Sequence, residues 1–140
     1  MSFSSSLFPV NWANQFKPTE IVCLDNHDLQ LYAEVIQVVV ERQTCWVRPL
    51  FLVASSAADG ISTEGESSKV ETRTFYDLRQ GADLLLPTVL FRSALDTEVV
   101  PLLSQLPHKI SARESEAGRQ AHQQLRQLVC QICKIHPDLF

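Results

Sequence analysis

Cys130 and Cys133 stand three residues apart, and His136 follows three residues later. Two thiolates and an imidazole at such spacing have the donor chemistry of a zinc site, with Cys23 or Cys45 as a conceivable fourth ligand. Zinc signatures normally combine two paired clusters, however, and this chain has one, so Cys130, Cys133 and His136 are candidates without an assigned metal. A thioredoxin-like redox pair would need its first cysteine at a helix N-terminus, where the dipole stabilises the thiolate. Here the pair falls near the C-terminal end of the expected helix, whose field acts the other way. The simpler reading is two small, half-buried side chains packing against the body of the protein or a partner.

Other catalytic chemistry is sparse. His27, His108, His122 and His136 are scattered, and Gly60, Gly65, Gly81 and Gly118 are too far apart to form a phosphate-cradling loop. No serine or cysteine lies in a recognisable nucleophile context. The expectation is a noncatalytic protein without a cofactor. Trp46, Arg48, Arg73 and Tyr76 suggest a different use, because rings flanked by guanidinium groups can stack on single-stranded nucleic acid. The formal net charge of −4 opposes that reading, since nonspecific nucleic-acid binding depends on excess cations. Binding to another protein is therefore preferred, with the single-strand reading as the alternative.

These residues must be positioned by a β-rich core. Two apolar runs, 29–40 and 45–54, flank the polar break Glu41-Arg42-Gln43-Thr44 and predict a long antiparallel hairpin. Cys45, Val47, Pro49, Phe51 and Val53 alternate on one face, with Trp46 and Arg48 opposite. The first strand matches with Val38 and Val40 near the turn but with Val35, Ala33, Leu31 and Leu29 farther out. A one-residue change of phase requires a bulge at Ile36-Gln37. Pro49 fits the same picture, because proline within a sheet occupies an edge or a bulge.

At 140 residues and 45% hydrophobic composition, one domain with its own core is expected. An irregular arm over 1–19, with Trp12 and Phe16 as possible anchors, precedes a small barrel-like core over 20–95. Strands are predicted at Ile21-Val22-Cys23-Leu24, 70–78 and 82–86, making five with the hairpin, and a mobile loop at 55–69. A helical segment, 96–140, packs on the core. Its first helix is capped by Asp96 or Thr97 and runs through Leu106. A second, over 112–135, starts with the capping box Ser111-Ala112-Arg113-Glu114. Ala121, Leu125, Leu128, Ile132 and Ile135 form one narrow apolar seam along it. That seam packs either on its own domain or on a second helix in a homodimer. The run Leu84-Leu85-Leu86-Pro87-Thr88-Val89-Leu90-Phe91 is a further sticky candidate.

No stretch approaches the roughly twenty apolar residues that span a bilayer. The N-terminus has no basic start or long apolar run, and four unpatterned cysteines suit a reducing cytosol. The fold expectation is α+β: a bent antiparallel sheet or barrel, SH3-like or OB-like, followed by two helices. The partner-binding candidates are Trp46, Arg48, Arg73, Tyr76, Leu125, Leu128 and Ile132.

Through Cys45-Trp46-Val47-Arg48-Pro49-Leu50 and Tyr76-Asp77-Leu78-Arg79-Gln80-Gly81-Ala82-Asp83-Leu84-Leu85-Leu86-Pro87, the chain resembles small uncharacterised proteins of cyanobacteria. The resemblance extends over most of residues 20–106. It implies a soluble protein with an accessory role around a photosynthetic or regulatory complex, and it transfers no functional residue.

Overall fold

A computed structural model describes residues 16–57, 71–107 and 115–140. Six strands form one antiparallel sheet: β1 (Ile21–Asn26), β2 (Leu29–Val39), β3 (Thr44–Ala57), β4 (Glu71–Asp77), β5 (Leu84–Pro87) and β6 (Arg92–Ser93). Their order is β4-β3-β2-β1-β6, with β5 pairing the first part of β3. Helices α1 (Asp96–Leu103) and α2 (Glu116–Ile135) follow. None of the described helices is long and apolar enough to cross a membrane.

The β2–β3 hairpin is kinked where the change of phase required it. Val35 pairs with Val47 and Gln37 with Trp46, leaving Ile36 as the extra residue of a bulge. A second shift lies beside Pro49: Tyr32 pairs with Phe51 and Ala33 with Pro49, so Leu50 is the extra residue. Proline is accommodated there because the ladder is already interrupted. The hairpin tip is a four-residue turn in which Gln43 N–H donates to the Val40 carbonyl and Gln43 takes a left-handed φ of 54°.

The bulge beside Pro49 also redirects the sheet's two faces. Val22, Leu24, Leu31, Ala33, Val35, Cys45, Val47 and Leu52 are buried on one face, beneath Ala121, Leu125, Leu128 and Ile132 of α2. Cys23, Tyr32, Phe51 and Val53 are buried on the opposite face, beneath Val99 and Leu102 of α1. Phe51 and Val53 were predicted to share the face of Cys45 and Val47. The extra residue at Leu50 transfers them to the other side, as any one-residue slip must.

Helical cover on both faces explains why the sheet remains open. A barrel buries one face against itself, whereas here each face has its own helix, so closure is unnecessary. Of the two forms expected, a small antiparallel sheet or an SH3-like or OB-like barrel, the α+β arrangement with two C-terminal helices has the sheet, open and two-sided. The sixth strand, β6, was not expected. It pairs Ser93 with Val22 and Arg92 with Cys23, and two residues are too few to leave a periodic signal.

Other boundaries moved for local reasons. Phe16 anchors the lead-in by burial in the α2-side core, while Trp12 lies outside the described residues. β3 runs through Ala57, and most of the loop expected at 55–69 also falls outside them. Leu95 precedes α1 where Asp96 or Thr97 was expected to cap it, and Glu98 Oε1 accepts the Leu95 N–H at 3.3 Å. Pro101 lies within α1, which ends at Leu103 rather than Leu106. The proposed Ser111 box is outside the described residues. The described helix begins at Glu116, where Ser115 Oγ accepts the Gly118 N–H at 3.0 Å.

Candidate functional site

Two polar groupings stand out, and their electrostatics separate them. The first surrounds Arg92 on β6. Its guanidinium donates to Asp25 at 2.7 Å from Nε and to Glu98 at 3.0 Å from Nη1 and 2.8 Å from Nη2. Tyr32 Oη donates to Glu98 Oε2, which also accepts from Arg92 Nη2, and Cys23 Sγ lies 3.7 Å from Asp25 Oδ1. A carboxylate, a phenol and a thiol in one place invite a catalytic reading.

Their proton affinities argue for a different role. The Arg92 hydrogen bonds pull Glu98 from its ordinary 4.5 to about 2, and they lower Asp25 as well. Burial, reinforced by Asp25, pushes the Cys23 thiol up to about 12. Burial and the Glu98 bond raise the Tyr32 phenol too. General acid–base catalysis works best with groups that titrate near the working pH, whereas these four are all driven away from neutrality. The cluster is a latch that ties α1 to β1, β2 and β6.

The latch has a pH signature. Because the folded pKa of Glu98 is depressed, its stabilising contribution is complete above the unfolded value near 4.5 and is lost as pH falls toward about 2. Glu98→Gln should therefore be less stable than the parent by about 1 kcal/mol near pH 6, a modest figure because Arg92 is 42% exposed and solvent screens the pair. The difference should shrink progressively between pH 4.5 and 2. Urea unfolding at pH 6 and pH 3 checks this; an equal difference at both values would contradict it.

The second grouping lies beyond the cover of α1, on the same face of the sheet. Trp46 on β3 sits between Gln37 on β2 and Leu85 on β5. Its indole Nε1 donates to Asp83 Oδ2 at 3.0 Å, and Arg48 Nε lies 3.7 Å from Asp83 Oδ1. Asp83 thus holds both large side chains in place from the loop before β5. Trp46 remains 38% exposed and Leu85 60% exposed. Their strand neighbours Cys45, Val47 and Leu86 are buried on the opposite face, so the surface rests on a packed layer.

The remaining candidates are dispersed. Arg73 is exposed on the Trp46 side of the sheet, since it pairs with Ser55 in the alternation of Phe51 and Val53. Tyr76 pairs with Leu52 and packs against the α2-side core. The expected four-residue platform is therefore split between two faces, as the odd spacing of Arg73 and Tyr76 along an unbroken strand requires. Leu125, Leu128 and Ile132 are covered by the chain's own sheet, and Ile135 is exposed at the helix end. Within the run 84–91, Leu86 and Phe91 turn inward, while Leu85 and Val89 face outward.

Cys130 is exposed and Cys133 partly exposed on α2, and neither forms a disulfide. Cys45 lies in the core on the α2 side, and Cys23 lies on the opposite face. Among the described residues, no three metal-ligating side chains come together. Burial, aided by Glu20, lifts the Cys45 thiol to about 11. Iodoacetamide at pH 8 should consequently label Cys130 first and spare Cys23 and Cys45 until the protein is unfolded, because the thiolate is the reactive form. Peptide mass spectrometry of native and urea-treated samples checks the order; native labelling of Cys23 would contradict it.

Asp83, Arg92 and Glu98 were not among the residues singled out from sequence. Asp83 and Trp46 are 37 positions apart, Glu98 and Tyr32 66, and Arg92 and Asp25 67, and no local pattern encodes such pairings. No protein-family model, curated protein or solved structure matches this chain, so the site stands on its own geometry.

Proposed function

We propose that the protein is a noncatalytic binding module that engages another protein through the surface formed by Trp46, Leu85, Arg48 and Asp83. The observation carrying this reading is the exposed indole, fixed by Asp83 and flanked by exposed Leu85 on a sheet whose other face is fully packed. Ordering such a ring before binding reduces the entropy lost on association. Trp and Arg are also the side chains most often found at the energetic centre of protein interfaces. An accessory role within a larger complex, as the cyanobacterial resemblance implies, is compatible with a small module of this kind.

The test is affinity capture from a lysate of the source cells with the parent protein, Trp46→Ala and the remote surface variant Gln120→Ala, each at low and high salt. A stoichiometric protein partner that survives high salt, persists with Gln120→Ala and disappears with Trp46→Ala supports the proposal. Equal recovery by Trp46→Ala contradicts it. Salt-sensitive recovery of nucleic acid alone contradicts it too, and favours the single-strand reading.

A further inference from the structure

Solvent reaches two of the four thiols, and both are on α2. Cys130 is exposed and Cys133 partly exposed, and neither is bonded. Cys23 and Cys45 have no exposed surface, one on each face of the sheet. Oxidation at sulfur needs a thiolate that the oxidant can reach. Burial denies both to Cys23 and Cys45, whose thiols are pushed up to about 12 and about 11. Oxidation of the folded chain is thereby confined to the α2 pair, and within one chain each of the two has only the other as a bonding partner.

Helix geometry decides what such a bond would do. Residues three apart on a helix share a side, with Cβ atoms roughly 5–6 Å apart. A disulfide draws its Cβ atoms in to about 3.8 Å. The intact turn therefore holds the sulfurs near each other but too far apart to bond, and closure requires that turn to open. Its position makes opening inexpensive: α2 ends at Ile135, just past Cys133, and helix ends open before helix centres do. Two residues between the cysteines tie this turn to the sheet. Gln131 Oε1 accepts the Asn26 Nδ2 hydrogen bond at 2.9 Å, and Ile132 is 2% exposed in the α2-side core. The Ile132 carbonyl also accepts the His136 N–H at 2.9 Å.

We propose that Cys130 and Cys133 are a reversible dithiol switch, closed by a hydroperoxide, whose disulfide unwinds the last turn of α2. In the first step the Cys130 thiolate attacks one peroxide oxygen. An S–O bond forms, the O–O bond breaks, and the leaving oxygen takes a proton as water or an alcohol. Sulfur loses two electrons to the peroxide and becomes a sulfenic acid. The Cys133 sulfur then attacks Cys130, the S–S bond forms, and the hydroxyl departs with the Cys133 proton as water. Closure pulls Ile132 from the core and breaks the Gln131–Asn26 bond, beside Ile135, Leu139 and Phe140, which are already exposed. An exposed disulfide formed against helix geometry is readily reduced, as reversible regulatory disulfides are. The pair responds to an oxidant instead of passing a disulfide on, so it does not need the helix N-terminus that a thioredoxin-like site requires.

Hydrogen peroxide titration of the full chain tests the switch, with free thiols then blocked by iodoacetamide and the protein digested by trypsin without reductant. Cleavage after Arg126 and Lys134 isolates both cysteines in one peptide. The parent should give that peptide unalkylated and lacking two hydrogens, and dithiothreitol should restore the dithiol. Cys133→Ser, which cannot close the bond, should accumulate the Cys130 sulfenic acid, captured by dimedone. Cys130→Ser should give neither product. Hydrogen exchange over 131–136 should be at least about tenfold faster in the oxidised parent than in the reduced one, and unaffected by peroxide in Cys130→Ser. Two free thiols after peroxide overturn the proposal, as do a sulfinic acid without the disulfide and a disulfide between two chains. A bond between Cys130 and Cys133 that leaves exchange over 131–136 unchanged overturns the unwinding.

Discussion

Leu128→Ala is expected to lower the free energy of unfolding by about 3 kcal/mol, the size of a large-to-small change at a fully buried site. Leu128 has no exposed surface and packs in the core formed by α2 with Val22, Leu31, Val35 and Val47 of the sheet. The sheet cannot readily collapse into the space left behind, because close-packed strands carry the surrounding side chains. Urea denaturation should show a lower midpoint with little change in slope. A loss below about 1 kcal/mol would mean that α2 is an appendage rather than the cover of this face. The apolar seam had two readings in the sequence, an internal cover or a dimer contact, and this substitution measures the first directly.

Trp46→Ala is expected to separate binding from stability. Trp46 lies on the part of the sheet face that α1 does not cover, and its indole hydrogen bond is to the partly exposed Asp83. Its loss should cost less than about 1 kcal/mol of folding free energy, in keeping with surface substitutions. Affinity for the captured partner should fall far more, by about 2 kcal/mol or roughly thirtyfold, the threshold effect of a central aromatic anchor. A variant equally impaired in folding and in binding would show that the indole serves the core instead.

Much of the scaffold was legible because the signals are local. Phase along β2 located the bulge at Ile36, and Pro49 marked the neighbourhood of the second bulge. The spacing of Ala121, Leu125, Leu128 and Ile132 specified the buried stripe of α2. What failed to be read depends on contacts between distant segments. The face reached by Phe51 and by Tyr76 follows from one extra residue at Leu50, which neither strand reveals alone. The open sheet follows from α1 covering the second face, and a short helix with Pro101 inside it gives little hint of its docking direction.

The candidate surface was legible in half. Trp46 and Arg48 were evident as outward residues of β3, but Leu85 joins them only through the β3–β5 register and Asp83 only through the loop before it. The Arg92 cluster was missed altogether, since Asp25, Tyr32, Arg92 and Glu98 are unremarkable in their own neighbourhoods and acquire a joint role only when β6 and α1 close on β1 and β2.

The claim that the Trp46–Leu85 surface is the binding site is tested most directly by calorimetric titration of the purified partner against parent, Trp46→Ala and Gln120→Ala proteins. The expected result is an unchanged dissociation constant for Gln120→Ala and one weakened by roughly thirtyfold or more for Trp46→Ala, with both variants fully folded. Equal affinity for all three would contradict it and place the binding surface elsewhere on the molecule.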